Sequence, residues 1–87
     1  MTYKEFQDIA IDLVYDYTIS HLDKTDQVEF TRDNVYIVWE CKALQNHKAL
    51  LSTTLYDGMY YEVTYNGDKN EVYLDAYKKF ENKKIEL

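Results

Sequence analysis

Apolar and polar positions follow two different rhythms along this chain. Near the start, Phe6, Ile9, Ala10, Leu13 and Tyr17 recur at steps of three and four, which is the spacing of one helix face. Thr2 followed three residues later by Glu5 is a capping-box pattern, so the spacing predicts a helix from about Tyr3 to His21. Ile11, Tyr15 and Leu22 lie outside that main apolar face, with Val14 joining the two bands. This helix is therefore apolar over more than the usual arc, and either two layers or a partner must cover it. Leu22 to Asn34 is polar and turn-rich and reads as a connection, with a short extended piece at Val28 to Thr31.

From Val35 the period changes to two. The run V-Y-I-V-W-E-C-K-A-L, Val35 to Leu44, is β-branched and aromatic and is bounded by Asp33-Asn34 and by Gln45-Asn46-His47, so it reads as a strand between turns. Val35, Ile37, Trp39, Cys41 and Ala43 share one face, taken as the core face; Tyr36, Val38, Glu40, Lys42 and Leu44 share the other. A three-residue loop at Gln45-Asn46-His47 would pair Cys41 with Leu51 and Ile37 with Leu55, which predicts a second strand from Lys48 to Leu55. A bulged loop of Tyr56-Asp57-Gly58, with Gly58 at positive φ, then aligns Met59, Tyr61 and Val63 with Leu51, Thr53 and Leu55. That makes a third strand of Met59 to Tyr65.

Asn66-Gly67-Asp68 breaks the third strand, and Asp68 with Glu71 makes a second capping pattern. Tyr73, Ala76, Tyr77 and Phe80 follow at helical spacing, so a second helix is expected from about Lys69 to Asn82. The sum is an α+β fold: a two-layer α-β-β-β-α domain, a three-stranded antiparallel meander with both helices on one face. That arrangement leaves the other sheet face uncovered, with Tyr36, Val38, Glu40, Leu50, Ser52, Thr54, Tyr60, Glu62 and Thr64 on it. Tyr offers large, rigid contact area at low entropic cost, so Tyr36 and Tyr60 mark a candidate binding surface.

Composition narrows the classes. Eighty-seven residues make a single domain, 1–87, whose core is thin. One Cys excludes an internal disulfide, Met1 to Phe6 lack the apolar run of a signal peptide, and no stretch is long enough to span a membrane, so a cytoplasmic, soluble protein is expected. Up to Glu40 nine carboxylates face three basic residues, whereas from Cys41 onward seven acids balance seven lysines. An acidic half weakens any case for nucleic acid, because phosphate neutralisation supplies most of that affinity, and it suits a partner with a basic surface. Glu5, Asp8, Asp12 and Asp16 lie along one stripe of the first helix and are the candidate contacts for such a partner.

Candidate chemistry is sparse. Cys41 points into the expected core and is separated from His47 by a turn, with no third group to orient a thiol–imidazole pair. His21 suits the last carbonyls of the first helix. One Cys and two His do not make a zinc site, and Asn66-Gly67-Asp68-Lys69-Asn70 lacks the length of a calcium loop. The lysines Lys78, Lys79, Lys83 and Lys84 form the one basic cluster, at the end of the second expected helix. The expectation is a protein without catalytic residues, metal or cofactor.

The run V-Y-I-V-W-E-C-K-A-L-Q-N-H-K-A-L-L-S-T-T, followed by D-G-M-Y-Y-E-V-T-Y-N-G-D-K-N-E-V-Y-L-D-A-Y-K-K-F-E-N, resembles a family of small phage and prophage proteins of low-GC Gram-positive bacteria, a domain family of unknown function. The likeness is clearest over Val35 to Asn82 and brings no catalytic or binding residues with it. What the resemblance implies is a phage-encoded accessory protein in the host cytoplasm. Two roles then follow. One is an inhibitor of a host nucleic-acid-handling or defence protein, acting through the acidic stripe or the Tyr-bearing face. The other is a self-associating structural or regulatory protein, a homodimer formed through Ile11, Tyr15 and Leu22 or through the open sheet face.

Overall fold

The computed structural model describes residues 1–22 and 29–87. Its elements, in chain order, are helix α1 (Tyr3–His21), a 3-10 turn (Arg32–Asn34) and strands β1 (Val35–Ala43), β2 (Asn46–Thr53), β3 (Met59–Asn66) and β4 (Glu71–Lys78). The strands form one antiparallel sheet in the order β1-β2-β3-β4, a meander with α1 packed on one face. Over the described residues the fold is α+β, with one α-helix and four strands rather than two helices and three strands.

The first helix has the predicted bounds. Thr2 accepts from the Glu5 amide at 3.1 Å while the Glu5 carboxylate accepts from the Thr2 amide at 3.1 Å, so two of the four orphan donors of the helix start are satisfied. Phe6, Ala10, Val14 and Thr18 form the fully buried stripe, and they meet Ala49, Leu51, Tyr61 and Val63 of the sheet. Ile9, Leu13 and Tyr17 are half-buried on one flank of that stripe and Ile11 and Tyr15 on the other. The wide apolar arc has its cover here. Phe30, in the segment leading to β1, stacks on Tyr15 with ring centroids 5.8 Å apart, and Tyr17 meets Tyr61 edge to face at 5.5 Å. The extended piece expected from Val28 begins outside the described residues, and Glu29 to Thr31 adopt no regular structure.

The second helix is corrected to a strand. Val72, Leu74 and Ala76 alternate with Tyr73, Asp75 and Tyr77, and this period of two carries the inner and outer faces of β3 onto β4 over eight consecutive pairs, from Met59 with Lys78 to Asn66 with Glu71. The helical spacing of Tyr73, Ala76, Tyr77 and Phe80 competes with it but offers no comparable burial. What resembled a helix cap is a turn. Asn66 accepts from the Asp68 and Lys69 amides through Oδ1, Asn70 takes a left-handed φ of 51°, and the Gly67 amide donates to Asn46 at 2.9 Å. Gly67 lies so close to Gln45 that an added Cβ would collide with its carbonyl and side chain.

Two registers also differ from expectation. The β1–β2 hairpin turns on Leu44-Gln45, with Ala43 opposite Asn46 and Leu44 at φ 56°, so Gln45-Asn46-His47 is not a loop and His47 is a residue of β2. Ile37 pairs with Leu51 rather than Leu55, and a bulge between Ile37 and Trp39 shifts the remainder of β1. Beyond that bulge the faces exchange. Trp39 and Cys41 turn outward and are exposed, while Glu40 turns inward opposite Ala49. Between β2 and β3 the parity is as expected and Gly58 has φ 69°, but the loop is longer, so that Tyr61 faces Leu51.

The radius of gyration is 14.5 Å. A compact chain of this length has one of about 12 Å. Likewise the accessible surface is 6597 Å². A compact monomer of this mass exposes about 5,400 Å². The flat sheet with a helix on one side and the exposed segment after Lys78 both add to these values.

Candidate protein-docking face

Three rows cross the outer face of the sheet. Tyr36, Ser52, Tyr60 and Tyr77 form the first, Trp39, Leu50, Glu62 and Asp75 the second, and Cys41, Lys48, Thr64 and Tyr73 the third. Tyr36, Trp39, Tyr73 and Tyr77 are between 44% and 52% exposed. No described element lies over them. Exposed large aromatics are ordinary one at a time, but four on one flat face form the kind of patch that marks interaction sites.

The charges on this face are arranged unevenly. Lys48 binds Glu62 at 3.1 Å, and that carboxylate holds the Lys48 ammonium above the usual lysine range. Asp75 stands directly across from Glu62 in the neighbouring strand. Like charges in that relation repel, and Asp75 has no ion-pair partner among the described residues. The edge position of Asp75 between Tyr73 and Tyr77 sets a carboxylate between two aromatic rings, the surroundings that suit an incoming Arg or Lys. Tyr73 donates to Glu71, whose carboxylate pushes the phenol up from its ordinary value.

At one end the face deepens into a concavity of about 470 Å³ lined by Tyr36, Ser52, Thr54, Tyr56, Tyr60 and Lys79. The Lys79 amide donates to the Gly58 carbonyl at 2.8 Å, which ties the segment after β4 to the β2–β3 loop. Ser52 is already committed, donating to the Met59 carbonyl at 2.9 Å. Tyr56 is fully exposed at the rim.

The sequence-predicted residues fall in separate places. Tyr36 and Tyr60 lie in the same row, separated by Ser52. Glu5, Asp8, Asp12 and Asp16 lie on α1, across the sheet from that face, so the acidic stripe and the Tyr face do not make one site. Glu5 serves the cap, Asp8 pairs with Lys4 at 3.0 Å and Asp12 pairs with Arg32 at 2.7 Å; no partner is seen for Asp16 among the described residues. Ile11, Tyr15 and Leu22 are all half-buried and pack against the core. Trp39, Tyr73, Tyr77 and Asp75 escaped the sequence reading, because the bulge reversed Trp39 and the helical spacing hid the period of two in Glu71 to Lys78.

Polar groups are also enclosed under α1. His47 is buried, stacked on Phe6 with centroids 5.0 Å apart and edge-on to Tyr3 at 5.6 Å; its Nε2 lies 3.2 Å from the Met1 carbonyl and its Nδ1 has no partner among the described residues. Glu40, a diagonal neighbour of His47 on the inner face, accepts from Gln7 through Oε1, and its Oε2 has no partner among the described residues. His21, as expected at a helix end, lies 2.8 Å through Nδ1 from the Tyr17 carbonyl. No group of three or more His, Cys, Asp or Glu converges as a metal site among the described residues. No helix among them is long and apolar enough to cross a membrane.

This arrangement defines an α+β sheet protein with one face open. The chain belongs to a family of unknown function, DUF6275, whose model matches residues 7–87. Comparison with curated proteins and with solved structures gives no match.

Proposed function

We propose that this chain is a non-enzymatic accessory protein that acts by binding another protein, and that the outer sheet face is where the partner docks. The observation that carries the reading is the group of uncovered aromatics around Asp75, a carboxylate held opposite Glu62 with no cation of its own among the described residues. A partner presenting a basic side chain among apolar ones would relieve that repulsion and cover the rings. Nucleic acid fits less well, because Glu62, Glu71 and Asp75 outnumber Lys48 and Lys79 on this surface and would repel phosphates. The resemblance to phage and prophage proteins extends the proposal to a host protein in the host cytoplasm, with a nucleic-acid-handling or defence protein as the partner to be inhibited.

The test is affinity capture. Tagged protein is incubated with nuclease-treated lysate of a Gram-positive host and eluted in steps of salt, beside a Trp39→Ala/Tyr77→Ala variant and an Asp8→Ala/Asp12→Ala/Asp16→Ala variant. The expected result is one stoichiometric host protein retained by the parent chain and by the helix variant and lost from the sheet-face variant. Retention by the sheet-face variant and loss from the helix variant would move the docking surface to α1.

A further inference from the structure

The sheet has two edges, β1 and β4, and they are built differently. Along β1 the ladder is interrupted by the bulge after Ile37, and Glu40 and Lys42 point to the inner face. A bulge and inward charges are the usual guards against an added strand. On β4 the register runs without a break through all eight pairs, no Pro interrupts it, and the inward positions Val72, Leu74 and Ala76 are apolar, with an inward charge, Lys78, only at the last residue of the strand. Helix α1 packs chiefly on β1, β2 and β3, so β4 lies towards the margin of the covered area. Beyond its ladder to β3, no backbone hydrogen bond is made by Glu71 to Lys78 among the described residues.

We infer that β4 is a self-association edge: a second copy of this chain adds its own β4 antiparallel to the first, with Leu74 opposite Leu74, to make one continuous eight-stranded sheet. The choice of a second copy rests on self-complementarity. A two-fold axis perpendicular to the sheet keeps inner positions opposite inner ones, so the axis must pass beside a residue of β4 rather than between two. Centred on Leu74, the pairing sets Val72 opposite Ala76, Tyr73 opposite Asp75 and Glu71 opposite Tyr77, and uses the strand from Glu71 to Tyr77, with Lys78 just beyond the paired stretch. Every inward pair is then apolar and no like charges meet. Centred on Asp75, it would set the two Asp75 carboxylates against each other; centred on Tyr73, it would set Glu71 against Asp75.

The helices of the two copies then lie on the same side of the extended sheet and the two outer aromatic faces become continuous. The pairing does not use Ile11, Tyr15 or Leu22, and it holds whether or not the outer face binds a host protein. One strand from each copy is a small contact, below the roughly 1,200 Å² at which standard stable interfaces begin, so the dimer forms with rising concentration.

The test uses the full chain with Cys41→Ser, so that no native thiol competes. Leu74→Cys, Val72→Cys and Ala76→Cys are oxidised mildly at high protein concentration, and mass is followed by sedimentation. In the inferred register the Cα atoms at position 74 of the two copies face each other at about 4.5 to 5.5 Å, within disulfide reach. Position 72 lies four residues, about 13 Å along the strand, from position 72 of the other copy. The expected result is a disulfide dimer with Leu74→Cys, none with Val72→Cys or Ala76→Cys alone, and one when those two variants are mixed. Ala76→Lys, which adds an inward charge at an exposed position, is expected to keep the far-ultraviolet spectrum of the parent and abolish its concentration-dependent dimer. A parent chain that stays monomeric at every concentration, or crosslinking equal at all three positions, would overturn the inference.

Discussion

The two faces of this sheet are made of the same strands and differ in what lies over them. On the inner face Phe6, Ala10 and Val14 of α1 press on Ala49, Leu51 and Val63, and all six are fully buried. On the outer face Trp39 and Tyr77 keep 44% and 52% of their surface, and nothing among the described elements covers them. The inner face uses mostly aliphatic side chains that fill space in few rotamers; the outer face uses Tyr and Trp, which present apolar area and a polar tip together. Burial on one side makes the fold, and the other side is free to be selected for contact.

The largest losses are expected on the inner side. Leu51→Ala removes a fully buried side chain at the centre of the helix–sheet contact and is expected to cost about 2 to 5 kcal/mol in denaturant unfolding. Gly67→Ala comes next: the added methyl meets the Gln45 carbonyl of the neighbouring hairpin, and relief of that overlap should cost about 1 to 3 kcal/mol by the same measurement. Loss of the cap through Thr2→Ala is smaller, about 1 kcal/mol. That variant also carries a pH signature. Hydrogen bonds from the Thr2 backbone and side chain hold the Glu5 carboxyl below its ordinary value, so the stabilisation is present above the unfolded carboxylate range and is lost as pH falls through the folded value. Thr2→Ala removes the side-chain bond but keeps the larger backbone one, so it should reduce the acid limb of a stability profile only in part; Glu5→Gln, which removes the titrating group, should flatten that limb and leave the neutral and alkaline limbs parallel to the parent.

At the alkaline end the sign reverses. Burial pushes the Tyr61 phenol up, so the contribution of Tyr61 is complete below the unfolded tyrosine range and is lost as pH rises through the raised value; Tyr61→Phe should unfold at higher pH than the parent. The smallest effect on stability is expected on the outer face. Tyr77→Ala should change unfolding free energy by no more than about 0.5 kcal/mol, since it removes an exposed side chain from an edge strand, and yet it should weaken partner capture. A large loss of stability there would mean that the outer face is covered by this chain's own residues.

Much of this architecture is written locally. Thr2 and Glu5 announce the start of α1, and Gly58 announces its own left-handed turn, because each depends only on neighbours in the chain. Trp39 could not be placed in the same way. Alternation along β1 puts it inward, and only the bulge at Val38, stabilised by pairing with β2, turns it out and brings Glu40 in against Gln7. Glu71 to Lys78 satisfy both periods at once, and the free edge of β3 decides between them. The candidate docking face was half legible for that reason: Tyr36 and Tyr60 lie before the bulge and on a central strand, whereas Trp39, Tyr73, Tyr77 and Asp75 depend on contacts far along the chain.

The most direct measurement is a calorimetric titration of the captured host protein with the parent chain, with Trp39→Ala/Tyr77→Ala and with Asp8→Ala/Asp12→Ala/Asp16→Ala. Removal of two buried aromatics at an interface is expected to weaken affinity at least about tenfold. That loss is expected for the sheet-face variant, with near-parental affinity for the helix variant. Parental affinity in the sheet-face variant would rule out the outer face as the docking surface.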